Sequence, residues 1–172
     1  MRSKHLAGWQ WGLMLLAIVW GLGFAGGTSA QAANTHFATR KITYHINGKS
    51  SYYHQVWTNA VKAWNSTKVV KLKPTTKKKA KIQFAIDKKS AGICPYVYTY
   101  ILSGKRKTSW AKGYMHGGVM SKFLYSKEQR TSIAICVVGH TLGLRDNEID
   151  WETNIVPATD RSDLAHAYAH IK

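Results

Sequence analysis

The sequence predicts a single exported α+β domain. Three observations lead to this prediction: a strand, helix, strand, strand order in the first half, a strong helix signal in the second half, and a leader-like N-terminus. The chain contains no internal repeat and no linker long enough to divide it. We therefore expect one domain that buries its own hydrophobic core.

The first 32 residues have the order of a secretory signal peptide. Arg2 and Lys4 precede the apolar run WGLMLLAIVWGLGF, small residues follow, and Ala30 and Ala32 provide an A-x-A cleavage site. The apolar run is short for a membrane span. We expect a signal peptide over residues 1–32, a secreted mature domain over residues 33–172, and no membrane span after cleavage.

The next fifty residues alternate between strand and helix patterns. KITYHI (41–46) alternates as a strand does, and from Ser51 apolar residues recur every three or four positions up to WNST, as in an amphipathic helix. KVVKLKP (68–74) and AKIQFAIDKK (80–89) then predict two strands, with a turn near Pro74.

The second half predicts further strands and two helices. YVYTYIL (96–102) and VMSKFLY (119–125) resemble strands in composition. SKEQ has capping-box spacing and opens a helix that we expect to end at Gly143. A final helix is predicted in SDLAHAYAHIK, capped by Asp160 or Ser162, with its two histidines, His166 and His170, facing solvent.

The charge is strongly positive and unevenly distributed. The formal net charge is +17, and nine basic residues fall between Lys68 and Lys89. For an exported protein this favours anionic cell-envelope polymers, with cell-wall association, over nucleic acid, which we do not expect as a partner. The alternative is a solvated surface adapted to solubility. Four acidic residues instead lie close together after residue 145, and the patch that they form is either a cation site or a hydrated loop. Its members are Asp146, Glu148, Asp150 and Glu152.

The stretch CVVGHTLGLRD (136–146) carries the candidate chemistry. It resembles the second half of the metzincin zinc signature, H-E-x-x-H-x-x-G-x-x-H, as found in the small matrixin-type peptidases exported by lactobacilli. His140 matches the second histidine, Gly143 matches the glycine, and Asp146 holds the third ligand position. Cys136 holds the first ligand position, and Val137 replaces the catalytic glutamate.

The resemblance implies a metzincin, zincin-like architecture: a twisted mixed sheet, two long helices and a short C-terminal subdomain with one helix. It also implies a zinc ion at Cys136, His140 and Asp146, all competent ligands. Ile155, in TNIVP, stands where the family's Met-turn has its methionine. Family members align peptides along an edge strand, which we expect within WAKGYMHGGVM (110–120).

The replacement of the glutamate predicts a degenerate peptidase site. An apolar side chain cannot move a proton, and losing a general base costs roughly 10²–10⁴-fold in rate. We therefore expect a pseudo-peptidase that binds a peptide or protein ligand or envelope polymers. One alternative is an active zinc endopeptidase, and another is a cationic cell-wall-binding protein on a disulfide-stapled scaffold.

The two cysteines of the mature chain leave three possibilities open. A bridge between Cys94 and Cys136 would close a loop and, in the chain-entropy model, stabilise the folded state by about 4 kcal/mol. An exported protein encounters the oxidising conditions in which such a bridge forms. The same bridge would remove the Cys136 thiolate as a zinc ligand. A buried free thiol is the third possibility.

Overall fold

The structure is a computed structural model that describes residues 35–103, 106–145 and 153–171. The predicted signal peptide and the acidic patch lie outside these residues. The strands are β1 (His36–Phe37), β2 (Lys41–Ile46), β3 (Lys71–Pro74), β4 (Ile82–Asp87), β5 (Tyr96–Leu102) and β6 (Lys107–His116). The helices are α1 (Ser51–Ser66), α2 (Gly117–Lys122), α3 (Lys127–Leu142) and α4 (Ala158–Ala167).

The strands form one mixed sheet that is mostly parallel. Its order runs β3, β2, β4, β6, β5, and β1 pairs with the start of β6. All of these pairings are parallel except that of β5 with β6. The α+β prediction is confirmed at this coarse level, with four helices among the described residues.

Helix α1 forms where the apolar periodicity predicted it. Ser50 caps the helix by accepting a hydrogen bond from the Tyr53 backbone N–H at 3.4 Å, which satisfies one of the free donors of the first turn. The apolar face is fully buried. Its members are Val56, Trp57, Ala60, Val61 and Trp64.

Helix α3 is the second long helix and lies in the centre of the core. The predicted capping box between Ser126 and Gln129 is present, and Gly143 ends the helix with φ at 115°, a left-handed conformation that glycine adopts without strain. Every residue from 131 to 142 is buried, as expected of a helix apolar on two sides. Trp64 Nε1 donates to the Ile135 carbonyl at 2.8 Å and joins α1 to α3.

The prediction of a strand over residues 119–125 is wrong. Strand β6 ends at His116, before the predicted segment, and the chain enters helix α2 at once. A Cβ on Gly118 would lie 2.7 Å from the carbonyl oxygens of Lys88 and Lys89. The backbone therefore turns against the end of β4, where a continuing strand would not fit.

Two further expectations need correction. Helix α4 begins at Ala158, directly after Pro157, so Asp160 and Ser162 lie inside the helix and do not cap it. The segment 110–120 does not contain the sheet edge, because β6 lies between β4 and β5. On this side of the sheet the edge strand is β5, and β3 forms the opposite edge. In the part of the chain that the structure describes, no helix has the length and apolar character to span a membrane.

Candidate functional site

Two of the three predicted zinc ligands lie together on α3. Cys136 and His140 are one turn apart and are 1% and 5% exposed. The four-residue spacing places both side chains on one face of the helix, and this face packs against β5. Asp146, the third predicted ligand, lies outside the described residues.

The Tyr96 hydroxyl, on β5, joins these two side chains. It lies 3.4 Å from His140 Nε2 and forms a side-chain hydrogen bond with Cys136. His140 Nδ1 lies 3.0 Å from the Leu144 carbonyl oxygen, which only accepts, so Nδ1 carries the proton of the neutral ring. Nε2 then accepts from the Tyr96 hydroxyl.

The protonation of Tyr96 suits this hydrogen-bonded chain. Burial raises the pKa of the Tyr96 hydroxyl well above its ordinary value, and the neighbouring Cys136 raises this pKa further through its charge and its hydrogen bond. A raised pKa keeps the proton on the phenol. Tyr96 therefore remains a donor to His140 at neutral pH.

Aromatic rings of β5 cover the His140 imidazole. The Tyr98 ring stacks on it with centroids 4.2 Å apart and an interplanar angle of 8°, and the Tyr96 ring lies 5.7 Å away. Tyr98 is paired directly with Gly113 of β6.

Val137, at the position of the missing glutamate, faces the sheet. It is fully buried, and a Cβ added to Gly113 would lie 2.5 Å from Val137 Cγ1. The valine therefore fills the space above Gly113 inside the hydrophobic core. A carboxylate at this position would be buried without a charged partner, so Val137 is part of the core packing.

Both cysteines are free thiols in the structure. Cys136 is buried, and Cys94 is exposed, with Sγ donating to the Tyr96 carbonyl oxygen at 3.0 Å. Both thiols lie near the Tyr96 hydroxyl, since both raise its pKa. The disulfide stays a prediction that a thiol count tests.

The segment predicted to replace the Met-turn is described from Thr153 onwards. Ile155 is 59% exposed, so it does not pack under the candidate site. Asn154 has φ at 53°, and its Oδ1 accepts a hydrogen bond from Ser132 Oγ at 2.9 Å. This bond ties the segment to the first half of α3, away from His140.

A zinc ion held by Cys136 and His140 would have to displace the Tyr96 hydroxyl, because both side chains hydrogen-bond to it. Zinc accepts sulfur and nitrogen donors but requires at least three protein ligands. Among residues 35–103, 106–145 and 153–171, no group of three His, Cys, Asp or Glu side chains could hold a metal ion. The described residues thus supply two donors of the predicted set, and zinc remains an expectation that depends on Asp146.

Comparison of the chain with known protein families and with curated proteins found no match.

A second distinctive region is the opposite edge of the sheet. All nine basic residues from Lys68 to Lys89 are exposed. Six of them lie on β3, on the 3₁₀ turn that follows it and at the residue before β4, and we call this surface the lysine edge. Its members are Lys71, Lys73, Lys77, Lys78, Lys79 and Lys81.

The sequence analysis missed the roles of Tyr96 and Tyr98. The signal was present in YVYTYIL, where tyrosines recur every second residue and therefore share one face of a strand. What the sequence did not indicate is that this face lies against Cys136 and His140, because the contact joins residues more than 35 positions apart.

Proposed function

We propose that this chain is a secreted, matrixin-like pseudo-peptidase that binds an extended peptide along β5 and does not cut it. The observation that carries the proposal is the open edge of β5, the side that faces away from β6. Among the described strands, β5 pairs with β6 alone.

The order of elements supports a metzincin-like architecture. A parallel sheet, an antiparallel strand β5 at its edge and a long helix ending at Gly143 all agree with what the resemblance implies. The glycine follows His140 at the spacing of the family signature. The fold assignment remains part of the proposal.

Loss of catalysis is supported by two packing observations. Val137 lies in the hydrophobic core, and its apolar side chain cannot accept a proton from water. His140 is covered by Tyr98, and its Nε2 is engaged by Tyr96. A general base must reach the proton that it abstracts, and neither residue is placed to do so.

The ladder of β5 identifies the backbone groups that would bind the peptide. His116 N donates to the Pro95 carbonyl at 2.7 Å, so hydrogen-bonded pairs recur at every second residue from there. The N–H and C=O groups of Val97, Thr99 and Ile101 then point towards β6. Those of Tyr96, Tyr98 and Tyr100 point to the open edge, where an added strand would pair with them.

A matched pair of variants tests this binding mode. Tyr100→Pro removes one outward N–H without breaking the ladder to β6, whereas Tyr100→Thr keeps this N–H and removes the same ring. Binders selected from a pool of capped decapeptides should lose about tenfold in affinity with the proline variant relative to the threonine variant. Equal affinities for the two variants would reject pairing at the edge.

Zinc and thiol analysis of the purified, non-reduced mature chain tests the loss of catalysis. We expect less than stoichiometric zinc after dialysis, and no cleavage of the bound decapeptides by mass spectrometry. One tightly held zinc per chain, together with cleaved peptides, would instead establish the active endopeptidase alternative, with Cys136, His140 and Asp146 as ligands.

A second candidate function is binding of anionic cell-envelope polymers, and the lysine edge favours it. Six exposed ammonium groups close together create a positive potential that attracts polyanions and is screened by salt. Lys77, Lys78 and Lys79→Gln should release the chain from a polyphosphate column at lower salt than Lys62, Lys107 and Lys122→Gln. The two triple variants lose the same charge, so equal elution would assign retention to net charge alone.

A further inference from the structure

A cavity lies at the carboxyl ends of two parallel strands, on the side of the sheet where α1 begins. Its volume is about 430 Å³, and it is lined by the ends of β2 and β4, the loop before α1 and the start of α2. Clefts of this size accept small organic ligands, and the carboxyl ends of parallel strands are their common location. We call it the strand-end cavity.

Tight backbone packing holds one wall of the cavity in place. A Cβ on Gly117 would lie 3.0 Å from the Asp87 carbonyl oxygen and 3.1 Å from Ile86 Cγ2. Val119 N donates to the Lys89 carbonyl at 3.0 Å. The turn from β6 into α2 is therefore held closely against the end of β4, and this contact fixes one wall of the cavity.

The lining combines an apolar surface with basic groups. Ile46, Ile86 and the Tyr53 ring supply the apolar part, and the exposed Lys49 and Lys88 side chains supply positive charge. A ligand that matches both features has an apolar body and an anionic group.

The one carboxylate of the lining is already engaged. His116 Nδ1 lies 2.8 Å from both Asp87 carboxylate oxygens, and Lys89 N donates to Oδ1 at 3.0 Å. These hydrogen bonds hold the Asp87 carboxylate in place, and the two ammonium groups of the lining, Lys49 and Lys88, outnumber its single charge. This contact also gives the buried His116 a role, because its Nδ1 holds the Asp87 carboxylate in position.

Tyr53 adds a hydrogen-bond donor to the same wall. Its hydroxyl accepts from Arg130 Nη1 at 2.5 Å, which leaves the phenolic proton to donate elsewhere. The hydroxyl lies at the cavity wall, 3.5 Å from where a Gly117 Cβ would be. Arg130 therefore both orients this donor and adds positive charge behind it.

We propose that the strand-end cavity binds a small carboxylate that carries a short apolar chain. The chain lies over Ile46, Ile86 and the Tyr53 ring, and the carboxylate lies between the Lys49 and Lys88 ammonium groups. This site is separate from β5, so it does not depend on the proposed peptide binding.

Titration calorimetry of the mature chain with three amphiphiles tests the charge preference. Octanoate should bind saturably below about 1 mM, while octylammonium, which has the same chain and opposite charge, should not. Failure of octanoate to bind overturns the proposal. Equal binding of the two amphiphiles does the same, and so does binding of octyl phosphate without octanoate.

Variants of the lining test the location. Lys49→Gln with Lys88→Gln should weaken octanoate about fivefold, and Lys73→Gln with Lys77→Gln, which removes equal charge from the lysine edge, should change it less than twofold. Ser121→Trp, at an exposed lining position, should abolish binding by filling the cavity while the circular dichroism spectrum stays unchanged. Full octanoate binding by the folded Ser121→Trp protein would overturn the assignment to this cavity.

Discussion

The two edges of the sheet differ in whether their free backbone groups are protected against pairing with another strand. At one edge, β3 carries the exposed Lys71 and Lys73 and ends in Pro74, which has no N–H to offer. At the other edge, β5 has no charged residue over seven positions and exposes Val97 and Ile101. Lysine and proline are common devices against unwanted strand pairing, so one edge is protected and the other is open.

This difference indicates where the molecule binds a strand. Both edges belong to the same sheet, and only the open edge lies beside the face of α3 with Cys136 and His140. The lysine edge attracts anions, and its lysines and Pro74 oppose hydrogen bonding with an added strand. Peptide binding and polyanion binding are therefore assigned to opposite edges, and variants can separate them.

The largest expected effect comes from restoring the family's glutamate behind the open edge. Val137→Glu should lower the free energy of unfolding by about 4 kcal/mol at pH 7, because the carboxylate would be buried without a partner. Burial raises the pKa of a carboxyl above its unfolded value, so the loss should shrink as pH falls through the folded pKa. Urea unfolding of the variant and the parent at pH 5 and pH 7 measures this difference in the free energy of unfolding. A variant as stable as the parent would place Val137 in a cleft and not in the core.

Exchanging the character of the two edges should alter self-association about tenfold. Lys71→Val with Lys73→Val removes the protection of β3 and should promote aggregation, whereas Ile101→Lys should reduce any association through β5. Light scattering at matched concentrations measures both. Lys62→Val with Lys122→Val, at exposed positions of α1 and α2, controls for the loss of two charges. If the β3 variant stays as soluble as this control, the lysines do not protect the edge.

A smaller effect is expected at the hydroxyl that joins β5 to α3. Tyr96→Phe removes the hydrogen bonds that this hydroxyl makes with His140 and Cys136, which should cost about 1 kcal/mol of stability. Tyr100→Phe removes an exposed hydroxyl from the same strand and should cost almost nothing. Thermal unfolding compares the two. Equal melting temperatures would show that the hydrogen bonds of the Tyr96 hydroxyl do not stabilise the protein.

The smallest effect is expected at alkaline pH. Burial raises the pKa of Tyr168 and of Tyr96 above the ordinary value, so above about pH 10 the unfolded chain holds fewer protons than the folded one. Stability should then fall as pH rises. Tyr168→Phe also loses the bonds to Phe37 N and Leu142 O, and Tyr96→Phe also loses those to His140 and Cys136. The quantity to compare is therefore the slope of stability against pH and not the stability itself. A slope unchanged in both variants would contradict the assignment.

Local signals accounted for much of the fold. The cap at Ser126, the end of α3 at Gly143 and the alternation in β2 depend on residues near one another in sequence, and each was predicted. The strand over residues 119–125 was predicted wrongly because what ends β6 is close approach to Lys88 and Lys89, about thirty residues away.

The sequence by itself determined the helix and strand periodicities, the positive charge and the replacement of the glutamate by Val137. Only the tertiary structure decided that β5 is the edge, that Tyr96 and Tyr98 cover His140, and that Val137 fills the space above Gly113. The reason is physical. Periodicity and capping act within a few residues, whereas strand order and side-chain packing join distant segments, and the chemistry of Cys136 and His140 depends on which distant side chains surround them.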